Sequence, residues 1–237
     1  MRQLTTVTSA LLDPLMAADP MGPRITYYDD ATGERIELST VTLANWAAKT
    51  GNLLRDELGA GPGSRVAVLL PAHWQTAAVL LGIWWIGAEA VLDGDADIAM
   101  CTADRLSDAD DAIGTGEIAV LSLDPFGKPV ADLPVGLTDY ATAVRVHGDQ
   151  ISPERQPGPA LAGRSVAEVL TAAQISAATQ GFTRDDRVLS TAGWTTADDL
   201  TQNLLAVLAA GASLVQVTNP DAAALDHRRE MEKVTRG

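Results

Sequence analysis

Arg65-Val66-Ala67-Val68-Leu69-Leu70-Pro71 is an apolar run closed by a proline, and Trp74-Gln75-Thr76-Ala77-Ala78-Val79-Leu80-Leu81-Gly82-Ile83-Trp84-Trp85-Ile86 follows it closely. The first run is too short for a helix and lacks the alternation of a half-exposed strand. It therefore predicts a strand covered on both faces. The second, apolar on nearly every side, predicts an interior helix over 74–86 that Gly87 stops. A doubly covered strand feeding a buried helix is the building block of a parallel α/β fold.

The same signals recur on either side. Before this pair, apolar spacing through Val7, Leu11, Leu12 and Leu15 predicts a helix over 5–18. Two short strands over 24–28 and 34–38 flank Asp29-Asp30-Ala31-Thr32-Gly33, turn chemistry that predicts an N-terminal β-hairpin. Ser39 or Thr40 can cap a helix running to Leu58, where Gly59 ends it. Beyond the pair come strands over 89–92 and 97–102, a polar helix over 103–112 and a strand over 117–123. Residues 124–164 are rich in Pro and Gly and hold at most one helix, near 138–146, so any internal boundary falls there. Helices over 165–180, 196–210 and 222–234 then alternate with strands over 187–191 and 213–217. The expectation is one α/β domain over 1–237, with a mainly parallel sheet flanked by helices.

Composition narrows the function. The chain has 237 residues, 46% hydrophobic and 20% charged, which suits a folded globular protein. Its net charge of −14 disfavours nucleic acid and anionic membrane surfaces as partners. Cys101 has no second cysteine to pair with and lies in an apolar stretch, so it reads as a buried thiol. The N-terminus has no continuous apolar segment before Asp13 and Pro14, and the run over 77–88 is shorter than the ~20 residues that span a bilayer. The expected compartment is the cytoplasm.

Several groupings suggest chemistry and then fail on spacing. Gly59-Ala60-Gly61-Pro62-Gly63 follows a helix and precedes a strand, whereas dinucleotide binding needs the reverse order; a connecting turn is expected. Asp93, Asp95, Asp97 and Asp104 have part of a calcium-loop spacing, but Ile98 stands where that loop needs Gly, which predicts a solvated acidic hairpin. His73, His147 and His227 are far apart, and no Gly-x-Ser-x-Gly elbow occurs. For His73, after Pro71, a capping or surface role is expected rather than catalysis. Trp84 and Trp85 are adjacent and cannot share one helix face, so one of them is available to a partner.

The block 24–92 resembles the N-terminal region of the adenylate-forming superfamily of acyl-CoA synthetases, luciferase-type ligases and peptide-synthetase adenylation domains. The resemblance rests on Ile25-Thr26-Tyr27, the helix over 43–58, Gly61-Pro62-Gly63-Ser64-Arg65-Val66-Ala67-Val68-Leu69-Leu70-Pro71, and 80–91 with Gly87-Ala88. Gly181-Phe182-Thr183-Arg184-Asp185-Asp186-Arg187-Val188-Leu189-Ser190-Thr191 and 204–217 continue it. The chain is also similar to short acyl-CoA-synthetase-like proteins of unassigned function.

The resemblance implies a Ser/Thr/Gly-rich loop ending in Pro-Lys-Gly that wraps a triphosphate, because bare N–H groups and a close Lys offset the anionic charge. At the corresponding place this chain runs Pro157-Gly158-Pro159-Ala160-Leu161-Ala162-Gly163-Arg164-Ser165. Its three lysines, Lys49, Lys128 and Lys233, follow no such loop. An aromatic-His pair that lines the family's acyl pocket falls by register on Thr195-Thr196. The crossing from Leu92 to Asp97 is only Asp93-Gly94-Asp95-Ala96, where the family inserts a loop and helix. The sequence stops at Gly237, before the family's adenine and magnesium motifs and its C-terminal lid with the catalytic Lys.

These departures lead to the expectation of a non-catalytic acyl-CoA-synthetase-like binding or interaction protein, with no catalytic, cofactor-binding or metal residues assigned. The strand over 213–217 would need a cover for its edge or face, either the terminal helix over 222–234 or a second subunit, and a homodimer or a protein partner is expected. Two alternatives stay open: an acyl-adenylate- or CoA-binding enzyme completed by a partner chain, and a small-molecule sensor using the crevice at the strand C-termini.

Overall fold

The computed structural model describes residues 5–237. In chain order the strands are β1 (Pro23–Asp29), β2 (Glu34–Ser39), β3 (Arg65–Leu69), β4 (Glu89–Val91), β5 (Ile98–Thr102), β6 (Glu117–Leu121), β7 (Thr138–Asp139), β8 (Arg187–Ser190) and β9 (Ser213–Thr218). The α-helices are α1 (Val7–Ala18), α2 (Thr40–Asp56), α3 (Trp74–Trp85), α4 (Leu106–Ile113), α5 (Tyr140–Ala143), α6 (Val166–Gln180), α7 (Ala197–Leu200), α8 (Ala206–Ala210) and α9 (Ala222–Met231). Two compact units divide the chain, one built mainly from 44–70 and 75–166, the other from 10–43, 71–74 and 167–237.

The first unit holds a five-stranded parallel sheet in the order β4-β3-β5-β6-β7. β3 pairs on both edges, and Val66, Ala67, Val68 and Leu69 are all buried, as an unbroken apolar strand requires. α4 lays Ala109 against Ala67, Ala99, Cys101 and Val120. Every residue of α3 is buried except half-buried Trp85. A Cβ on Gly82 would stand 2.9 Å from both Ala47 O and Gly51 N, so glycine lets α2 and α3 meet at backbone distance.

The one helix expected near 138–146 is present as α5 continued by a 3-10 turn over Val144–Val146, and the two residues before it form β7. Asp139 divides strand from helix: its Oδ1 accepts the Thr142 N–H (2.7 Å) as a helix cap, and its Oδ2 accepts the Val130 N–H (2.7 Å). The strand expected over 117–123 ends at Leu121, and Leu123 sits at φ 56°, outside strand geometry.

The second unit holds a four-stranded sheet in the order β2-β1-β9-β8. β1 and β2 form the expected antiparallel hairpin, while β1, β9 and β8 run parallel. Ser39 caps α2, its Oγ accepting the Thr42 N–H at 3.2 Å.

Of the cover expected for the strand over 213–217, from the terminal helix or a second subunit, the edges need none: β9 is interior, paired with β1 on one side and β8 on the other. The sheet's edges are β2 and β8, and Thr235–Arg236 line β8. Leu189 N–H donates to Arg236 O and Thr235 N–H to Arg187 O, both at 2.9 Å. One face of this sheet is covered from within the chain, where Leu225 and Val234 pack with Tyr28 against Leu189, Val215 and Val217.

The helix expected over 196–210 is interrupted. Between α7 and α8 the backbone widens into a π-turn over Thr201–Leu205. Thr201 Oγ1 donates to Ala197 O (2.6 Å) and Asn203 Nδ2 donates to Asp199 O (2.9 Å), so side chains engage carbonyls of the preceding turn. Such back-bonding competes with the backbone ladder and bends helices.

Candidate functional site

The segment 157–165 closes into a tight turn. Ala162 (φ 50°) and Gly163 (φ 74°) both lie in the left-handed region, the requirement of a two-residue turn of mirror-image type. Arg164 N–H donates to Leu161 O (3.0 Å) and Ala160 N–H to Arg164 O (2.7 Å), so the strand-like arms bond across it. Ala160 O is taken twice, by Ala90 N–H (2.9 Å) and by the buried Trp84 Nε1–H (2.7 Å).

Gly163 N–H, which could face an anion, donates instead to the Glu89 carboxylate at 2.6 Å. Glu89 is itself buried, with Arg65 at 3.8 Å. A buried carboxylate therefore occupies the glycine amide of the turn.

At the C-terminal end of β8, where open α/β sheets bind ligands, the chain runs through 191–196 into α7. Thr195 and Thr196 serve the helix start. Thr196 Oγ1 accepts the Asp199 N–H (3.0 Å), and Asp199 Oδ2 accepts both the Thr196 N–H (3.1 Å) and the Thr195 hydroxyl (2.9 Å). This is a reciprocal capping box. These bonds, Thr196's first, hold the Asp199 carboxyl below its ordinary range.

Ser190 at the strand end donates to Asn203 Oδ1 (3.4 Å) on the π-turn, and Gln216 Nε2 donates to Ala192 O (3.0 Å). Trp194 Nε1 and Gln216 Oε1, one donor and one acceptor, are buried without a hydrogen-bond partner among the described residues. Neither stands out in the sequence, where the one signal is a lone Gln in the otherwise apolar run Leu214-Val215-Gln216-Val217. Buried polar atoms left unpaired cost stability and mark places that a small polar group could satisfy.

The other sequence candidates take structural roles. Gly59-Ala60-Gly61-Pro62-Gly63 is the turn from α2 to β3, with Ala60 N–H bonded to Leu54 O (2.8 Å) and Ser64 N–H to Gly61 O (3.0 Å). Of the acidic run, Asp97 Oδ2 accepts the Arg65 N–H (2.8 Å), and no group of three potential metal ligands occurs among the described residues. Cys101 is buried, which pushes its thiol up to about 11.

His73, expected at a cap or on the surface, is not on the surface: it is buried just before α3, edge-on to Tyr27 with ring centroids 4.3 Å apart, and Nε2 lies 3.7 Å from Glu34 Oε1. Burial lowers its basicity and outweighs Glu34. His147, by contrast, is paired with Glu57 at 2.9 Å. Adjacent Trp84 and Trp85 point apart as expected: Trp84 donates to Ala160 O, and half-buried Trp85 donates to Ser9 Oγ (3.2 Å). No helix among the described residues is long and apolar enough to cross a membrane.

No protein-family model matches the chain. It is 70% identical over 237 residues to a TIGR03089 family protein of Mycobacterium tuberculosis (strain ATCC 25618 / H37Rv), covering 98% of each sequence. Among solved structures it is similar to an acyl-CoA synthetase of Brucella canis, with TM-score 0.81, 20% identity and 99% of this chain covered. It is also similar to the N-terminal domain of FACL13 from Mycobacterium tuberculosis, with TM-score 0.70, 17% identity and 98% of this chain covered. The chain spans 47% of the first of these structures and 62% of the second. The fold is therefore that of the N-terminal domain of acyl-CoA synthetases.

Proposed function

We propose for this chain, which belongs to the TIGR03089 family, a non-catalytic role: an acyl-CoA synthetase-like binding or interaction protein of the cytoplasm, without ATP-dependent adenylation. The observation that carries this reading is the Glu89–Gly163 bond at 2.6 Å. An anion-binding loop works by aiming unpaired backbone N–H groups at the ligand. Here the turn is closed on itself and its glycine amide is taken by a buried carboxylate. The use of Thr195 and Thr196 as helix caps supports the same reading, because neither side chain is left to line a pocket.

A role in protein interaction draws support from exposed apolar side chains in the first unit, Phe126, Val135 and Val146, of which Phe126 is 82% exposed. A homodimer or a heterologous complex would cover them. The alternative of a small-molecule sensor is favoured by Trp194 Nε1 and Gln216 Oε1, buried and unpaired near the ends of β8 and β9.

ATP–pyrophosphate exchange with a panel of aliphatic and aromatic carboxylic acids tests the absence of adenylation. No exchange above the enzyme-free blank is expected; acid-dependent exchange with any member overturns the reading. Light scattering of the purified protein tests the interaction, and a monomer at all concentrations removes the homodimer.

A further inference from the structure

The second unit contains a cleft of about 780 Å³ at the N-terminal ends of β1, β8 and β9, opposite the strand ends considered above. Its volume lies in the range that holds small-molecule ligands. Leu11 and Leu15 of α1 and Leu170 of α6 give it an apolar side. Arg24, at the start of β1, lines it and is only 5% exposed.

The bonding of Arg24 is unusual for so buried a cation. Nε donates to Thr40 Oγ1 (3.2 Å), and Nη1 donates to Gly211 O and Ala212 O, both at 2.7 Å. Every one of these acceptors is neutral. Nη2 has no partner and no carboxylate pairs with the guanidinium among the described residues. Asp19 shares the cleft, but its Oδ1 accepts the Gly22 N–H (2.9 Å). A buried charge hydrogen-bonded only to neutral dipoles has lost its hydration without gaining a directly paired carboxylate. Burial accordingly pushes the guanidinium below its ordinary range, with Asp19 opposing the shift.

The rim repeats the sign. Arg184 and Lys233 are exposed there, and the cleft as a whole gathers four cationic side chains against three carboxylates in a chain of net charge −14. One of the four, Arg187, is already paired with Glu232. One of the three, Asp186, is committed to Thr183 and Thr235.

We propose that this cleft is a binding site for a small anion carried on an apolar body, an alkyl carboxylate or alkyl phosphate whose head pairs with Arg24 and whose chain lies along α1. A guanidinium with free N–H donors suits either head group. The assignment is independent of whether the protein adenylates anything.

Isothermal titration of the full chain with decanoate, octyl phosphate and the neutral control decanol tests it, and the two anions separate the head groups. Saturable binding of at least one anion is expected, at least tenfold weaker in Arg24→Gln. The double variant Arg184→Glu, Lys233→Glu changes only exposed side chains, and so reads the same loss if Arg24→Gln does not fold. Failure of both anions to bind, equal binding by decanol, or undiminished affinity in the double variant overturns the proposal.

Discussion

Glu89 and Gly163 are 74 residues apart in sequence, yet the carboxylate of one accepts the backbone N–H of the other at 2.6 Å. The bond fastens the turn over 161–164 to the start of β4, the edge strand of the first unit. Removing the carboxylate leaves that N–H without its charged acceptor, a loss of roughly 1.5–3 kcal/mol. Glu89→Ala is expected to lower the unfolding free energy from urea titration by that amount, with a matching fall in the midpoint, and Glu89→Gln by less, because the amide oxygen still accepts. Equal midpoints for the wild type and Glu89→Ala would show that the bond adds nothing.

Ala162 occupies the left-handed region at φ 50°, a conformation that costs a residue with a Cβ about 1 kcal/mol. Asparagine visits it more readily than alanine. Ala162→Asn is therefore expected to stabilise the protein by roughly 0.5 kcal/mol, whereas Gly163→Val, at φ 74°, destabilises it by more than 1 kcal/mol. Thermal unfolding of the two variants should give Tm shifts of opposite sign.

Glu232 ties the end of α9 to the sheet through Arg187, Arg35 and the Tyr28 hydroxyl. Burial alone would raise its carboxyl, but these partners outweigh burial and bring it down to about 2. Because the folded value lies below the unfolded one, the contribution is complete above the ordinary carboxylate range. It is lost as pH falls from about 5 toward 2. Glu232→Gln is expected to cost about 3 kcal/mol at pH 7 and to flatten the acid limb of stability against pH. An unchanged acid limb would place the titration elsewhere.

Thr235 and Arg236 supply backbone bonds to the outer edge of β8. Deleting 235–237 exposes Leu189 N–H and Arg187 O on a parallel edge strand, a template for pairing with another chain. The deletion is expected to increase self-association measured by light scattering, relative to the full chain. The same mass distribution in both would show that the edge is protected in another way.

Much of the fold was legible because burial imposes a pattern. Val66, Ala67, Val68 and Leu69 had to be a covered strand, and Ala77 to Ile83 an interior helix, since no other arrangement hides such runs. The turn over 29–33 and the stops at Gly59 and Gly87 were equally local. Where side chains compete with backbone, the pattern alone does not give the detail: Asp139 caps the helix near 138–146 and so delays its start to Tyr140, and Thr201 and Asn203 open the helix over 196–210 into a π-turn. His73 misled because a polar residue beside a proline looks exposed until Tyr27 is seen against it.

By itself the sequence determined the strand–helix alternation, the family resemblance and the lack of a lysine-tipped phosphate loop, because these depend on residue type and on neighbours along the chain. Only the tertiary structure decided that Glu89 caps the turn at Gly163, that β9 is interior with Thr235 and Arg236 along the β8 edge, and that Arg24 opens onto a cleft with no carboxylate bonded to it among the described residues. Each of these joins residues from about fifty to nearly two hundred positions apart, and nothing local in the chain encodes which buried donor will meet which acceptor.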